Sequence, residues 1–116
     1  MKTFCFDIDG VICKTQKNNY KSAKPIKKIV SLINKLYQKN KIIIFTARYM
    51  GRSGESATKA KKKGYKFTQK QLSTWGLSYH KLIMGKPSYD VFIDDKNLEF
   101  VKDWYIKFEK KFKKDF

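Results

Sequence analysis

Four of the ten acidic residues in this chain fall in two short motifs, and each motif closes an apolar run. Residues 3–8 lead into Asp7-Ile8-Asp9-Gly10, and Val91-Phe92-Ile93 leads into Asp94-Asp95. A carboxylate so placed can act as a nucleophile, exchange a proton, or ligate a hard cation. Asp and Gly are also ordinary turn residues, so either motif alone could simply end a strand. Their pairing weighs against that. In open α/β sheets ligands bind outside the carboxyl ends of the strands, where the strand order reverses. Four carboxylates gathered there would repel one another unless a cation neutralised them, and oxygen ligands without thiolate or imidazole favour Mg²⁺. Two further groups fit the same crevice. Thr46 ends the run Ile42-Ile43-Ile44-Phe45, where its hydroxyl and the amides after it can hold a phosphate oxygen. Lys86 follows Leu82-Ile83-Met84 in the turn Gly85-Lys86-Pro87, which points its ammonium across the site.

The elements that must position these groups follow from the apolar pattern. Residues 3–8 read as a buried strand breaking at Asp9-Gly10, and the polar stretch from Cys13 to Lys24 as a loop or small hairpin over its end. Ser22 can cap a helix with Pro25 near its start, along which Ile26, Ile29, Val30, Ile33, Leu36 and Tyr37 form one stripe. Ile42–Phe45 is an uninterrupted apolar strand, a pattern expected of a parallel strand covered on both faces. Helices are expected over about 55–63 and 68–75, a third strand over 82–84 and a fourth over 91–93. Leu98, Val101, Tyr105, Phe108, Phe112 and Phe116 then line one side of a last helix. The alternation predicts an α/β fold, a Rossmann-like open parallel sheet of about four strands flanked by helices, as one domain over 1–116.

Taken in order, Asp7-Ile8-Asp9-Gly10, Thr46-Ala47-Arg48, Gly85-Lys86-Pro87 and Ile93-Asp94-Asp95 resemble the four signature motifs of the haloacid dehalogenase (HAD) superfamily of phosphotransferases. The segment from Thr68 to Asp95, with Gln71-Leu72 and Trp75-Gly76, is similar to small HAD phosphatases of surface and capsular polysaccharide biosynthesis. The resemblance implies Asp7 as the nucleophile that forms an aspartyl-phosphate. It implies Asp9 as the acid that protonates the leaving oxygen and then the base that deprotonates water. Mg²⁺ would be held by Asp7, the Asp9 carbonyl and Asp94, with Asp95 ligating directly or through water. Gly10, Thr46, Ala47, Arg48 and Lys86 would surround the substrate phosphate. Neither motif interval has room for a cap domain, so the resemblance implies a capless member whose open site a second subunit would cover, with the Lys14–Tyr20 loop in the contact. The family also usually places a helix between the Lys motif and the last acidic strand. Here residues 85–90 must cross about three strand spacings, ~15 Å, with a reach of ~20 Å.

Composition sets the competing readings. The chain has 116 residues, 41% of them hydrophobic, and a formal net charge of +17 from 25 Lys and only two Arg, Arg48 and Arg52. Such a charge favours nucleic acid or an anionic surface as a partner. A polynucleotide end phosphatase and a basic binding module with vestigial motifs are therefore the alternatives to a Mg²⁺-dependent phosphomonoesterase acting on a small sugar phosphate. The lack of an aromatic-basic recognition patch weighs against nucleic acid. Arg52 and Lys14 are further candidates for contact with a substrate anion. His80 and Trp75 read as packing residues, Trp104 as core or interface, and Cys13 has no evident base. Two cysteines, no signal-peptide pattern and no apolar run of ~18 residues fit a cytoplasmic protein without a transmembrane segment. The lysine-rich C-terminal helix resembles a membrane-surface helix, but a domain this small needs its apolar side for packing.

Overall fold

The computed structural model describes residues 1–116. Three short strands, β1 (Thr3–Phe6), β4 (Lys41–Thr46) and β5 (Lys81–Met84), form a parallel sheet in the order β1-β4-β5. The polar stretch after β1 forms a small antiparallel hairpin, β2 (Cys13–Lys14) with β3 (Lys24–Pro25). Between the sheet strands run α1 (Lys27–Tyr37) and α2 (Ala57–Thr74), and α3 (Trp104–Lys111) follows near the C-terminus. The α/β class is therefore as expected, and no cap domain is present.

Strand register explains how the core is built. Phe4 pairs with Ile42, Phe6 with Ile44, and Ile44 with Leu82, so one face of the sheet presents a continuous row of buried apolar side chains. All three helices cover that face. Ile29, Ile33 and Leu36 of α1 are buried in the same cluster. Each such side chain removed from water contributes about 1.5–3 kcal/mol. On one flank of α1, Lys28 donates to Tyr105 and Lys39 to the Phe116 carbonyl; on the other, the Asn34 amide donates to the Gly76 carbonyl at 2.8 Å. Edge-on contacts of Phe108 and Phe112 with Phe4, at 5.5 and 5.2 Å, seat α3 over β1. The C-terminal aromatics are thus core, as the size of the domain requires.

The second face of the sheet differs from expectation. Ile43 and Phe45, which the uninterrupted run predicts to be buried on both faces, are only half-buried, and Cys5 and Ile83 beside them are exposed. No helix lies over them, so the fold has two layers.

Three other elements differ from the sequence reading. The helices expected over 55–63 and 68–75 are one continuous α2, because Gly64 lies inside the helix with Tyr49 packed against it. Neither Ser22 nor any other side chain caps α1, whereas the Ser56 hydroxyl caps α2 by accepting from the Lys59 amide at 3.2 Å. The fourth strand is not formed. Residues Val91, Phe92 and Ile93 join no strand, with exposures of 73, 40 and 91%, and the Phe92 ring packs edge-on against Tyr89 at 5.0 Å and sits 5.4 Å from the Lys86 ammonium. The ~15 Å from β5 to the outside of β1 is only the sideways part of the path. A parallel strand must also start level with Thr3, so the chain has to return along the sheet, and such crossovers take a dozen residues or more. Residues 85–90 are too few.

Candidate active site

Asp7 and Asp9 follow β1 directly. The chain turns there through Gly10, whose φ of +85° lies in the left-handed region that glycine adopts without strain. The turn is closed by the amides of Val11 and Ile12, which both donate to the Ile8 carbonyl, and by the Gly10 amide, which donates to Cys13. The Gly10 N–H is therefore spent on the turn rather than open to a phosphate. Thr46 ends β4 beside this turn. Its buried hydroxyl accepts from the Arg48 amide at 3.1 Å, and its carbonyl accepts from the Lys86 amide at 3.1 Å. That last bond pins the residue after Gly85 to the strand ends, and the Lys86 ammonium reaches a carboxylate oxygen of Asp7 at 3.5 Å.

The two aspartates have different surroundings. The Asp7 side chain is 34% exposed, with one oxygen accepting from the Ile8 amide at 2.8 Å and the other facing Lys86. Burial pushes its pKa above the ordinary value, against the pull of Lys86 and the Ile8 amide, and the nearby Asp9 charge adds to the rise. For Lys86, burial works against the charged form, but the Tyr89 hydroxyl and Asp7 outweigh it and hold the ammonium protonated. Asp9 is clamped. Arg48 donates to both of its oxygens, from Nε at 2.9 Å and Nη2 at 3.0 Å, and Thr15 donates to it at 2.5 Å. Burial raises the Asp9 pKa, but these contacts lower it further, so the net shift is downward.

Arg48 itself is not where a substrate ligand would be. Its side chain is wholly buried, and its third nitrogen, Nη1, donates to Gln71 Oε1 at 2.6 Å. Gln71 in turn donates to the Tyr20 carbonyl, and the Tyr20 ring lies 4.7 Å from the Arg48 guanidinium. Sequence reasoning placed Arg48 on the phosphate; the structure makes it the group that fixes Asp9. Thr15, Gln71 and Tyr20 carried no site signal in the sequence, although Gln71 lies in the segment that resembles the capless phosphatases. The Ala47 amide, which follows Thr46, has no acceptor within the protein. Arg52 lies over the rings of Tyr20 and Tyr49, at 5.1 and 5.0 Å, and donates to the Asn18 carbonyl.

Asp94 and Asp95 are not brought to this crevice. Both lie in the exposed segment after the unformed strand, where Asp94 accepts from the Lys96 amide at 3.0 Å. No three His, Cys, Asp or Glu side chains gather in one place in the molecule. One chain thus brings Asp7 and Asp9 to this end of the sheet, with Asp9 already engaged by Arg48, and leaves Asp94 and Asp95 apart from them. Lys14 is exposed on the hairpin, Trp104 is core, and the His80 ring stacks on Tyr37 while its Nδ1 accepts from the Ile42 amide at 3.0 Å. Burial raises the pKa of the Cys13 thiol, which suits packing rather than nucleophilic attack.

No family model and no curated protein matches this sequence. The fold is similar to that of a solved structure, a structural-genomics target from Vibrio cholerae, with a TM-score of 0.78 and 21% identity. The likeness covers 96% of this chain and 99% of that one. It extends the architecture described here to a second protein and carries no statement of activity.

Proposed function

We propose that the chain is a phosphomonoesterase of HAD type acting on a small phosphorylated metabolite, a sugar phosphate or sugar-linked phosphate ester of cell-surface glycan synthesis. The observation that carries this is the half-exposed Asp7 carboxylate facing the Lys86 ammonium at 3.5 Å, at the C-terminal end of a parallel sheet. Lys86, the free Ala47 amide and the Thr46 hydroxyl are donors suited to the equatorial oxygens of a phosphoryl group. An Asp7 oxygen attacks phosphorus, the ester P–O bond breaks, and the leaving oxygen takes up a proton from solvent. Water then attacks the aspartyl-phosphate and gives its proton to Asp9, which passes it back to solvent, releasing phosphate and restoring Asp7. Arg48 keeps Asp9 anionic, which supports the base half of the role implied for Asp9 more than the acid half. The Mg²⁺ that the resemblance implies lacks its ligand set in a single chain, so no step is assigned to it.

The test is phosphate release from a panel of sugar phosphates with and without Mg²⁺, with Asp7→Asn as the control. Turnover by the parent protein and its loss in Asp7→Asn are expected. Undiminished turnover in Asp7→Asn would remove the assignment. The +17 charge supports the rival reading of an anionic-polymer binder. That reading predicts DNA affinity falling steeply with salt, and no turnover of any phosphate ester.

A further inference from the structure

The turn that follows Asp9 forms one wall of a second cleft, distinct from the Asp7–Lys86 pair. Val11 of the turn, Ile26 and Ile29 at the start of α1, and Phe100, Val101 and Trp104 around the start of α3 give it a mainly apolar lining. Its volume is about 420 Å³, within the range of small-molecule sites. Three other clefts of similar size are lined mainly by polar side chains. Ile29 and Trp104 at its base belong to the core, whereas Phe100, its ring 6.0 Å from Trp104, is 60% exposed. The cleft is therefore an opening onto the core with one aromatic wall left in water, and not a scatter of single exposed side chains.

Charge and position narrow what fits it. Lys14, Lys28 and Lys102 stand on the rim. Asp103 is the one acid there, and its carboxylate accepts from the Tyr105 hydroxyl at 3.1 Å. Lys28 is held in place, donating to that hydroxyl and lying 4.3 Å from the Tyr105 ring centroid. An apolar interior under a cationic rim is the complement of an amphiphilic anion. The cleft also adjoins the candidate active site. Gly10 lines it and is three residues from Asp7, so their Cα atoms are within ~11 Å of each other. A Cβ built on Gly10 would meet no atom within 4 Å, so the turn leaves open space beside it.

We propose that the cleft receives the apolar chain or ring of an amphiphilic phosphate monoester whose phosphate lies between Asp7 and Lys86. The phosphate half rests on the proposed phosphatase reading and names its substrate class; the apolar half does not depend on it. A sugar-linked ester with an apolar substituent meets both halves. Each methylene that enters the cleft adds about fourfold in affinity.

Trp104 reports occupancy directly. The chain has two tryptophans, so in Trp75→Phe the fluorescence comes from the cleft alone. This protein is titrated with n-alkyl phosphates from ethyl to octyl, below micelle formation. One ligand per chain is expected, with affinity rising about fourfold per methylene until the cleft is full. Phe100→Ser, at an exposed position, is expected to weaken octyl phosphate severalfold and leave ethyl phosphate unchanged. Affinity indifferent to chain length, or a chain-length dependence unaltered by Phe100→Ser, overturns the cleft. A response to phosphatidylglycerol vesicles with none to octyl phosphate assigns the surface to a membrane and also overturns it. Phosphate release then separates the two halves. In the parent protein kcat/KM is expected to climb with chain length in the same steps, and Phe100→Ser to flatten the climb. Turnover of sugar phosphates but of neither ethyl nor octyl phosphate overturns the amphiphilic substrate and leaves the phosphatase reading standing. Turnover of no phosphate ester overturns that reading and the substrate with it, and fluorescence decides the cleft by itself.

Discussion

Asp7 and Asp9 are separated by one residue, yet their neighbours shift their pKa values in opposite directions. Asp7 must be anionic to attack, and burial raises its pKa, so kcat/KM should increase with pH through an ionisation above the ordinary carboxylate value. A pH–rate profile flat down to pH 4 would contradict this. For Asp9 the shift is downward, so its ion pair adds stability above the ordinary carboxylate pKa and loses it as pH falls through the lower folded value. Arg48→Ala leaves this partly buried carboxylate without its partner and should cost on the order of 3 kcal/mol, read by urea denaturation at neutral pH. The same substitution would cost well under 1 kcal/mol if Arg48 were a surface substrate ligand. The sequence marked Arg48 as special, as one of two arginines among 25 lysines, but not its direction. Gln71 and Tyr20, which turn it inward, lie 23 and 28 residues away along the chain, and nothing local reports such a contact.

At the scale of elements, the strands and helices with a periodic apolar pattern were legible, because burial on one face imposes that pattern. β1, β4, β5 and α1 fall within a few residues of where the periodicity places them. The unformed strand was not legible, since its composition is that of a strand and the obstacle is the length of the link before it. The continuity of α2 was hidden by Gly64, which reads as a helix breaker. In the fold a Cβ at that position would sit 2.1 Å from Cδ2 of the Tyr49 ring. Gly64→Ala should therefore destabilise by about 1–3 kcal/mol, although alanine is the better helix former by ~1 kcal/mol. Thermal denaturation gives the sign, and a raised midpoint would show that the Tyr49 ring yields.

For the whole molecule, size and charge set different expectations. No helix is long and apolar enough to cross a membrane, and α3 spends its aromatic side on the core. The lysines are spread over exposed surfaces, including Lys59, Lys61, Lys62, Lys63, Lys66 and Lys70 along α2, where they draw anions toward the molecule without defining a binding site. Asp7, Asp9, Thr46 and Lys86 come together at one end of the sheet, as their places at the ends of the apolar runs lead one to expect. Motif order places Asp94 and Asp95 beside them, whereas in the fold both lie in the exposed segment after residue 93. The central claim is the covalent role of Asp7, and chemical trapping reads it directly. Asp9→Asn should slow hydrolysis of the intermediate, so this variant is given p-nitrophenyl phosphate, quenched, reduced with borohydride and mapped by mass spectrometry. Conversion of residue 7 to homoserine, the reduction product of an aspartyl-phosphate, is the expected result. Release of p-nitrophenol with residue 7 still aspartate, or with the label on another residue, would contradict the account.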